Sequence, residues 1–230
     1  MVLLFFQGVV DTLNATASTP AVAEPTTSPI GLLAKGGPLM IPLAILFLLA
    51  LFFFFERVIA IRQASKIEGN FMNMIRDHIV NGNVTAARSI AKNTDNAVAR
   101  IIDKGLQRIG KPIDAIEKSM ESVGKLEMYK MERNVSILSS IAGIAPLFGF
   151  LGTIFGMIQL FQSINSTNKF ELNTIAGGIY VKMITSATGL IIGLIAYIAH
   201  NYLTTQIDKT AFKMEAASSE FLDVLQEPTR

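Results

Sequence analysis

The sequence has 230 residues, of which 50% are hydrophobic and 17% are charged, and its formal net charge is +2. Soluble domains carry about 25% charged residues, so this composition indicates a membrane protein. The chain has no cysteine and only two histidines, His78 and His200, which excludes disulfides, thiolate metal sites and cysteine nucleophiles. It also lacks P-loop, GxGxxG and HExxH spacings. We therefore expect neither an enzyme nor a bound cofactor or metal.

Residues 1–37 are predicted to form a periplasmic N-terminal segment and linker. The apolar start MVLLFF has no positively charged region before it and is soon followed by Asp11, which argues against a cleaved signal peptide. The start is either disordered or an interfacial helix, and we favour the helix. The stretch 15–30 is rich in Pro, Thr and Ala and predicts a linker.

The first membrane segment is predicted at 38–61. Residues 38–55 are uncharged and rich in Leu and Phe, and Glu56 and Arg57 follow them. An apolar run of about 20 residues spans a bilayer as a helix. Pro42 can be accommodated near the start of such a helix.

The interval 62–134 is predicted to be a helical domain. Apolar residues recur at helical spacing from Phe71, from Val84 and from Ala97, which indicates three short amphipathic helices. His78 falls on the apolar face of the first one. Because no second ligand stands at helical spacing, we interpret His78 as a half-buried structural histidine.

Two long stretches without acidic residues follow. No ionisable side chain occurs from Asn134 to Asn168, and Lys182 is the single formal charge from Leu172 to Ile207. Each stretch is long enough to span a bilayer. We predict transmembrane helix 2 at 135–164, a periplasmic loop at 165–173 and transmembrane helix 3 at 174–203.

Both stretches are longer than a bilayer requires. Roughly 35 helical residues reach about 50 Å, whereas the hydrocarbon core is about 30 Å thick. Pro112 stands where a helix-starting proline belongs, so we expect one continuous helix from Pro112 to Ile164. A cytoplasmic C-terminal helix is predicted at 204–230, because Ile207, Met214 and Phe221 continue an apolar stripe.

Basic residues are distributed unequally about the three spans. The interval 57–133 holds 14 Lys and Arg residues, whereas residues 1–37 hold only Lys35. A Lys/Arg excess marks the cytoplasmic side, so we predict a periplasmic N-terminus, a cytoplasmic domain at 62–134 and a cytoplasmic C-terminus. Four basic residues at the edges of the spans are expected to contact anionic phospholipid headgroups: Arg57, Arg62, Lys130 and Arg133.

The two long spans each present a face of small residues. Glycines three or four positions apart let helix backbones approach closely, and packing is sufficient to explain all of them: Gly149, Gly152, Gly156, Gly178, Gly189 and Gly193. Thr153, Thr185 and Ser186 stand beside these glycines. A membrane hydroxyl usually bonds to its own helix, so a functional role for the three depends on their proximity to Lys182.

Lys182 has two interpretations. Its stem can run along lipid so that the ammonium reaches the external interface, about 15 Å from Leu172. Alternatively, it can face the bundle interior or another subunit, because it shares a helix face with Gly178 and Ser186. Charges inside membrane helices commonly line transport paths, and we favour the second interpretation.

The stretches IAPLFGFLGTIFGMIQLF and AGGIYVKMITSATGLIIGLIAY resemble the ExbB/TolQ/MotA proton-channel family, and its ExbB branch most closely. The motifs cover 139–203, and the topology covers the whole chain. This resemblance implies an all-α, homopentameric complex of the bacterial inner membrane around a central pore. It also implies an ExbD-type single-pass partner in that pore and a TonB-type protein that passes the work to outer-membrane transporters. No nucleic-acid partner is expected.

The resemblance assigns roles to single residues. The family's pore threonine matches Thr153, and its hydroxyl on the third helix matches Ser186, so the predicted proton path comprises Thr153, Ser186, Lys182 and Thr185. The family's intramembrane glutamate falls on Val181 in this chain. Because a proton relay needs a titratable group, the acid is expected to come from the partner's helix.

Three functions are compatible with the sequence. The leading hypothesis is an energy-transducing proton-channel subunit of ExbB type. A TolQ-like envelope-maintenance subunit shares the topology, whereas a MotA-like stator usually has four membrane helices and is disfavoured. The missing glutamate favours an alternative of another class, a non-conducting membrane scaffold. Proton flux measured with the partner present distinguishes the scaffold from the channels.

Overall fold

A computed structural model describes residues 38–66, 69–167 and 172–226, and every regular element in these ranges is an α-helix. The predicted N-terminal helix, the linker and the centre of the predicted 165–173 loop lie outside the described residues. In chain order the helices are α1 (Met40–Ser65), α2 (Phe71–Val80), α3 (Val84–Asn93), α4 (Ala97–Leu106), α5 (Ile113–Glu132), α6 (Val135–Thr167) and α7 (Leu172–Gln226).

Within the described residues, three helices are long and apolar enough to cross a membrane: α1, α6 and the first part of α7. The prediction of an all-helical protein with three apolar spans is therefore confirmed. Large apolar side chains remain exposed on these helices, including Phe52 (63%), Phe150 (58%) and Leu190 (58%). Such surfaces suit lipid or another helix rather than water.

The expected continuous helix from Pro112 to Ile164 is wrong near its middle. α5 ends at Glu132 and α6 begins at Val135. Between them, Asn134 adopts a left-handed backbone with φ of 67°. Asn tolerates this conformation better than most residues and can end a helix in this way. The charged α5 and the apolar α6 are therefore separate helices.

The C-terminal half of α7 completes the hydrophobic core of helices α2 to α5, which we call the charged domain. Phe221 is 0% exposed and Met120 of α5 is 1% exposed. A Cβ placed on Gly105 of α4 would lie 2.5 Å from Phe221 Cε1 and 2.7 Å from Met120 Sδ. The bare backbone of Gly105 therefore lets the Phe221 ring pack directly on α4.

Candidate functional site in the membrane helices

α6 and α7 pack along what we call the glycine seam: Gly149, Gly152 and Gly156 of α6 with Gly178, Gly189 and Gly193 of α7. Their contacts run in opposite directions along the two helices. Gly193 faces Pro146, whereas at the other end Gly178 faces Leu160. The helix pair is therefore antiparallel, as two membrane spans joined by a short connection must be.

The closest approach of backbone to backbone in the seam occurs at Gly189. A Cβ placed there would lie 2.6 Å from the carbonyl oxygen of Ala145 and 2.9 Å from Gly149 Cα. Both neighbours are backbone atoms, so no change of rotamer can relieve such a clash. Small residues permit this kind of direct backbone contact between membrane helices.

Pro146 shapes the part of the seam nearer to the start of α6, and the sequence analysis did not identify it. A proline inside a helix cannot donate to the carbonyl four residues earlier, which here belongs to Ala142. A Cβ on Gly193 would lie 2.7 Å from Pro146 Cγ and 3.0 Å from the Ala142 oxygen. Gly193 thus makes room for the proline ring and for that carbonyl. The proline in the middle of an apolar run was the available signal.

The three predicted hydroxyl residues occupy different environments. Thr185 is 1% exposed, and its Cγ2 lies 2.7 Å from a Cβ position on Gly152. Thr153 is half-buried, and its Oγ1 donates to the Phe150 carbonyl at 2.7 Å. Ser186 is half-buried, with its backbone 3.1 Å from a Cβ position on Gly149. Thr185 therefore fills the seam between α6 and α7 of the same chain, while Thr153 and Ser186 stay partly accessible.

Lys182 lies against the same seam. Its side chain is half-buried, and a Cβ on Gly156 would overlap Cγ, Cδ and Cε of the lysine stem. The stem thus occupies the space that any residue other than glycine would need at 156. The side chain of the neighbouring Val181, where the resemblance places a glutamate, lies outside the part of the chain that the structure describes.

Arg57, which was expected at the lipid surface, is instead buried with 5% exposure. Its guanidinium pairs with Glu56, and Nη1 donates to the Lys130 carbonyl at 3.1 Å. That carbonyl belongs to the last turn of α5, where carbonyl groups lack partners within the helix. Arg57 therefore caps α5. Arg62 and Arg133 of the same predicted group are exposed.

Lys130, the fourth predicted headgroup contact, belongs to an ion-pair network around Glu127. The Glu127 side chain is 3% exposed and accepts from Arg100 Nη2 and Lys130 Nζ, each at 2.7 Å. Burial raises the pKa of this carboxyl, but the hydrogen bonds and charges of Arg100 and Lys130 outweigh burial and hold it below its usual value. The network joins α4 to the end of α5.

A groove of about 680 Å³ opens between α5 and the C-terminal half of α7. Methionine and leucine side chains contribute apolar walls, and acidic side chains contribute charge: Met120, Met128, Leu222, Glu117, Glu132 and Glu215. Within the described ranges, no group of three His, Asp or Glu residues is arranged to hold a metal ion. The groove is therefore a surface feature without a metal site.

The sequence is similar to a known protein family across the region of the two seam helices. The sequence matches the MotA/TolQ/ExbB proton channel family over residues 93–216, more than half of the chain. A putative biopolymer transport protein ExbB homolog of Methanothermobacter thermautotrophicus is 27% identical over 161 residues, or 70% of this chain and 57% of the relative.

Two further relatives belong to different branches. Putative biopolymer transport protein ExbB-like 1 of Synechocystis is 28% identical over 190 residues, covering 81% of this chain and 74% of the relative. The Tol-Pal system protein TolQ of Haemophilus influenzae is 26% identical over 91 residues, covering 40% of each chain. This chain thus spans 40–74% of the length of these three relatives. Because the family match includes all of α6, the seam-forming part of α7 and more than half of the residues, the chain belongs to the MotA/TolQ/ExbB proton channel family.

Proposed function

We propose that this chain is the channel-forming subunit of an inner-membrane complex of ExbB–ExbD type. In this complex the proton motive force powers a TonB-type protein for outer-membrane transport. The observation that carries the proposal is the family match across the glycine seam. Relatives named as biopolymer transport proteins of ExbB type support the TonB-type role.

In the proposed complex, five copies surround a pore with their N-termini in the periplasm and their C-termini in the cytoplasm. The 14 Lys and Arg residues at 57–133 support this orientation, because basic segments stay on the cytoplasmic side. The exposed Arg62 and Arg133 are proposed contacts for anionic headgroups. Arg57 is dropped from that group because its guanidinium is already bonded inside the protein.

The proposed proton path needs an acid from the partner. The stretches 134–168 and 172–207 contain no Asp or Glu, so the chain alone has no carboxyl group to relay a proton there. In the proposed complex, Thr153 and Ser186 line the pore and hold water or the partner's carboxyl through their hydroxyls. The buried Thr185 keeps α6 and α7 in register at Gly152, and thereby positions Ser186.

Proton uptake by proteoliposomes tests this proposal. The chain is purified with the partner co-expressed, reconstituted, and energised with a pH gradient while a pH-sensitive dye reports the lumen. Removing both hydroxyls with Thr153→Val and Ser186→Ala should abolish partner-dependent uptake and leave the oligomer intact. The control variant, Ser140→Ala with Thr205→Val, removes two exposed hydroxyls that bond back to their own helices. Normal uptake by the first variant would refute the pore assignment.

Two alternatives keep specific support. The similarity to TolQ of Haemophilus influenzae and of Pseudomonas aeruginosa, at 26% and 24% identity, favours a Tol-type role as the second candidate. A partner of TolA rather than TonB type, identified by mass spectrometry of the purified complex, would decide for it. A non-conducting scaffold would give no partner-dependent proton uptake at all.

A further inference from the structure

Lys182 is the single Lys or Arg residue between Leu172 and Ile207. Its ammonium has no acidic partner among the described residues. The sequence places no Asp or Glu at 134–168 or 172–207. An unpaired charge in a membrane segment is energetically unfavourable and is usually compensated by a counter-charge or by water.

The position of Lys182 within the apolar surface does not favour simple escape to the lipid headgroups. Exposed apolar side chains lie on either side of it along α7. Tyr180 (52%) precedes it, and Met183 (63%) and Leu190 (58%) follow it. A snorkelling lysine extends its stem along lipid towards the interface. Here the stem lies instead across Gly156 of the neighbouring helix α6.

We propose that Lys182, held by Gly156, is a binding site for a carboxylate carried on a transmembrane helix of another chain. The proposal rests on the proposed function only for the presence of such a partner helix. A carboxylate at the depth of Lys182 can reach the ammonium directly, whereas a lipid phosphate lies further out at the headgroups. An adjacent ammonium favours the ionised form of an acid, so the site selects the deprotonated partner.

In the family that this chain resembles, this part of the third helix carries an acid, whereas here it carries a base. The chain supplies the fixed cation beside Val181, and the partner supplies the acid that gains and loses the proton. When the partner's carboxyl is protonated its attraction to Lys182 falls, because a neutral acid forms only a hydrogen bond. Binding to this site is therefore coupled to the protonation state of the partner.

Zero-length cross-linking of the full chain with its co-expressed partner tests the site. Membranes are treated with dicyclohexylcarbodiimide, which activates a carboxyl group, and an amine within contact distance then displaces the urea. The product is an amide between the two side chains, one water lighter than the separate residues. Mass spectrometry should find this bond between Lys182 and an Asp or Glu of the partner.

Four variants make the result specific. Lys182→Met should abolish the cross-link and lower the partner recovered by at least about tenfold, as expected for truncating one member of a buried charge pair. Lys182→Arg should retain the partner without forming the cross-link, because it keeps the charge and lacks the reactive amine. Gly156→Ala should reduce cross-linking by displacing the stem. Gly177→Ala is the matched control, because no atom lies within 4 Å of its Cβ position.

Wild-type recovery of the partner with Lys182→Met would overturn the proposal. Loss of a co-purified phospholipid from Lys182→Met, with the partner still bound, would also overturn it. That result would assign the ammonium to a lipid phosphate. The proposed function fails separately, if the wild-type complex forms the cross-link but conducts no protons. Normal proton uptake by Lys182→Met would leave the proposed function intact and remove only the carboxylate site.

Discussion

Gly189→Ala should destabilise the protein although alanine is the better helix former. The added Cβ would meet the Ala145 oxygen at 2.6 Å and Gly149 Cα at 2.9 Å. Overpacking of this kind costs about 1–3 kcal/mol. Gly143→Ala in α6 is the matched control, because its Cβ position has no atom within 4 Å. That variant should gain up to about 1 kcal/mol from helix propensity, so the two should differ by about 1–4 kcal/mol.

Thermal unfolding in detergent, followed by far-UV circular dichroism, measures this difference. One kcal/mol corresponds to about 2–4 °C in Tm for a chain of this size, so the Tm of Gly189→Ala should lie about 2–16 °C below that of Gly143→Ala. Size-exclusion chromatography checks that both variants have the same oligomeric state. Equal Tm values would mean that α6 and α7 do not touch backbone to backbone at Gly189.

Two further predictions concern the charged domain. Glu127→Gln should cost about 1–3 kcal/mol at pH 7, less than the roughly 3–5 kcal/mol of a fully buried pair, because the Arg100 side chain is 37% exposed. The pKa of Glu127 is lowered by folding, so its stabilisation is present above the unfolded pKa and is lost as pH falls through the folded one. The Tm difference from wild type should therefore shrink below about pH 4, and a constant difference would contradict the ion-pair argument. Phe221→Ala should destabilise by about 3–5 kcal/mol and expose the end of α7 to limited proteolysis, whereas Phe212→Ala, at a 72% exposed position, should leave cleavage unchanged.

The sequence predicts those parts of this fold that depend on long, uniform patterns. Uncharged runs identify the three apolar spans, and helical periodicity identifies α2, α3 and α4, because each signal is averaged over ten or more residues. The break at Asn134 escapes this reasoning because one left-handed residue ends a helix without changing the pattern around it. The burial of Arg57 escapes it because the accepting carbonyl of Lys130 is 73 residues away.

The candidate site, like the fold, could be predicted only in part from the sequence. Glycines at helical spacing predict that two membrane helices approach closely, but not which residues meet. That Lys182 covers Gly156, and that Thr185 rather than Ser186 fills the space at Gly152, depends on the register between α6 and α7. Rotating α7 by about 100°, the angle between successive residues of a helix, would exchange the buried hydroxyl for the accessible one. Site assignments from the motif alone therefore need the packed helix pair.

The cap that Arg57 places on α5 has a consequence for how the protein is made. Ribosomes add about 5–20 residues per second, so the 73 residues that separate Arg57 from Lys130 take about 4–15 s to synthesise. During that interval the carbonyl that Arg57 will bind does not yet exist. Glu56 is the counter-charge that α1 already carries. The Arg57 guanidinium therefore gains its second partner and its burial only after α5 has been made.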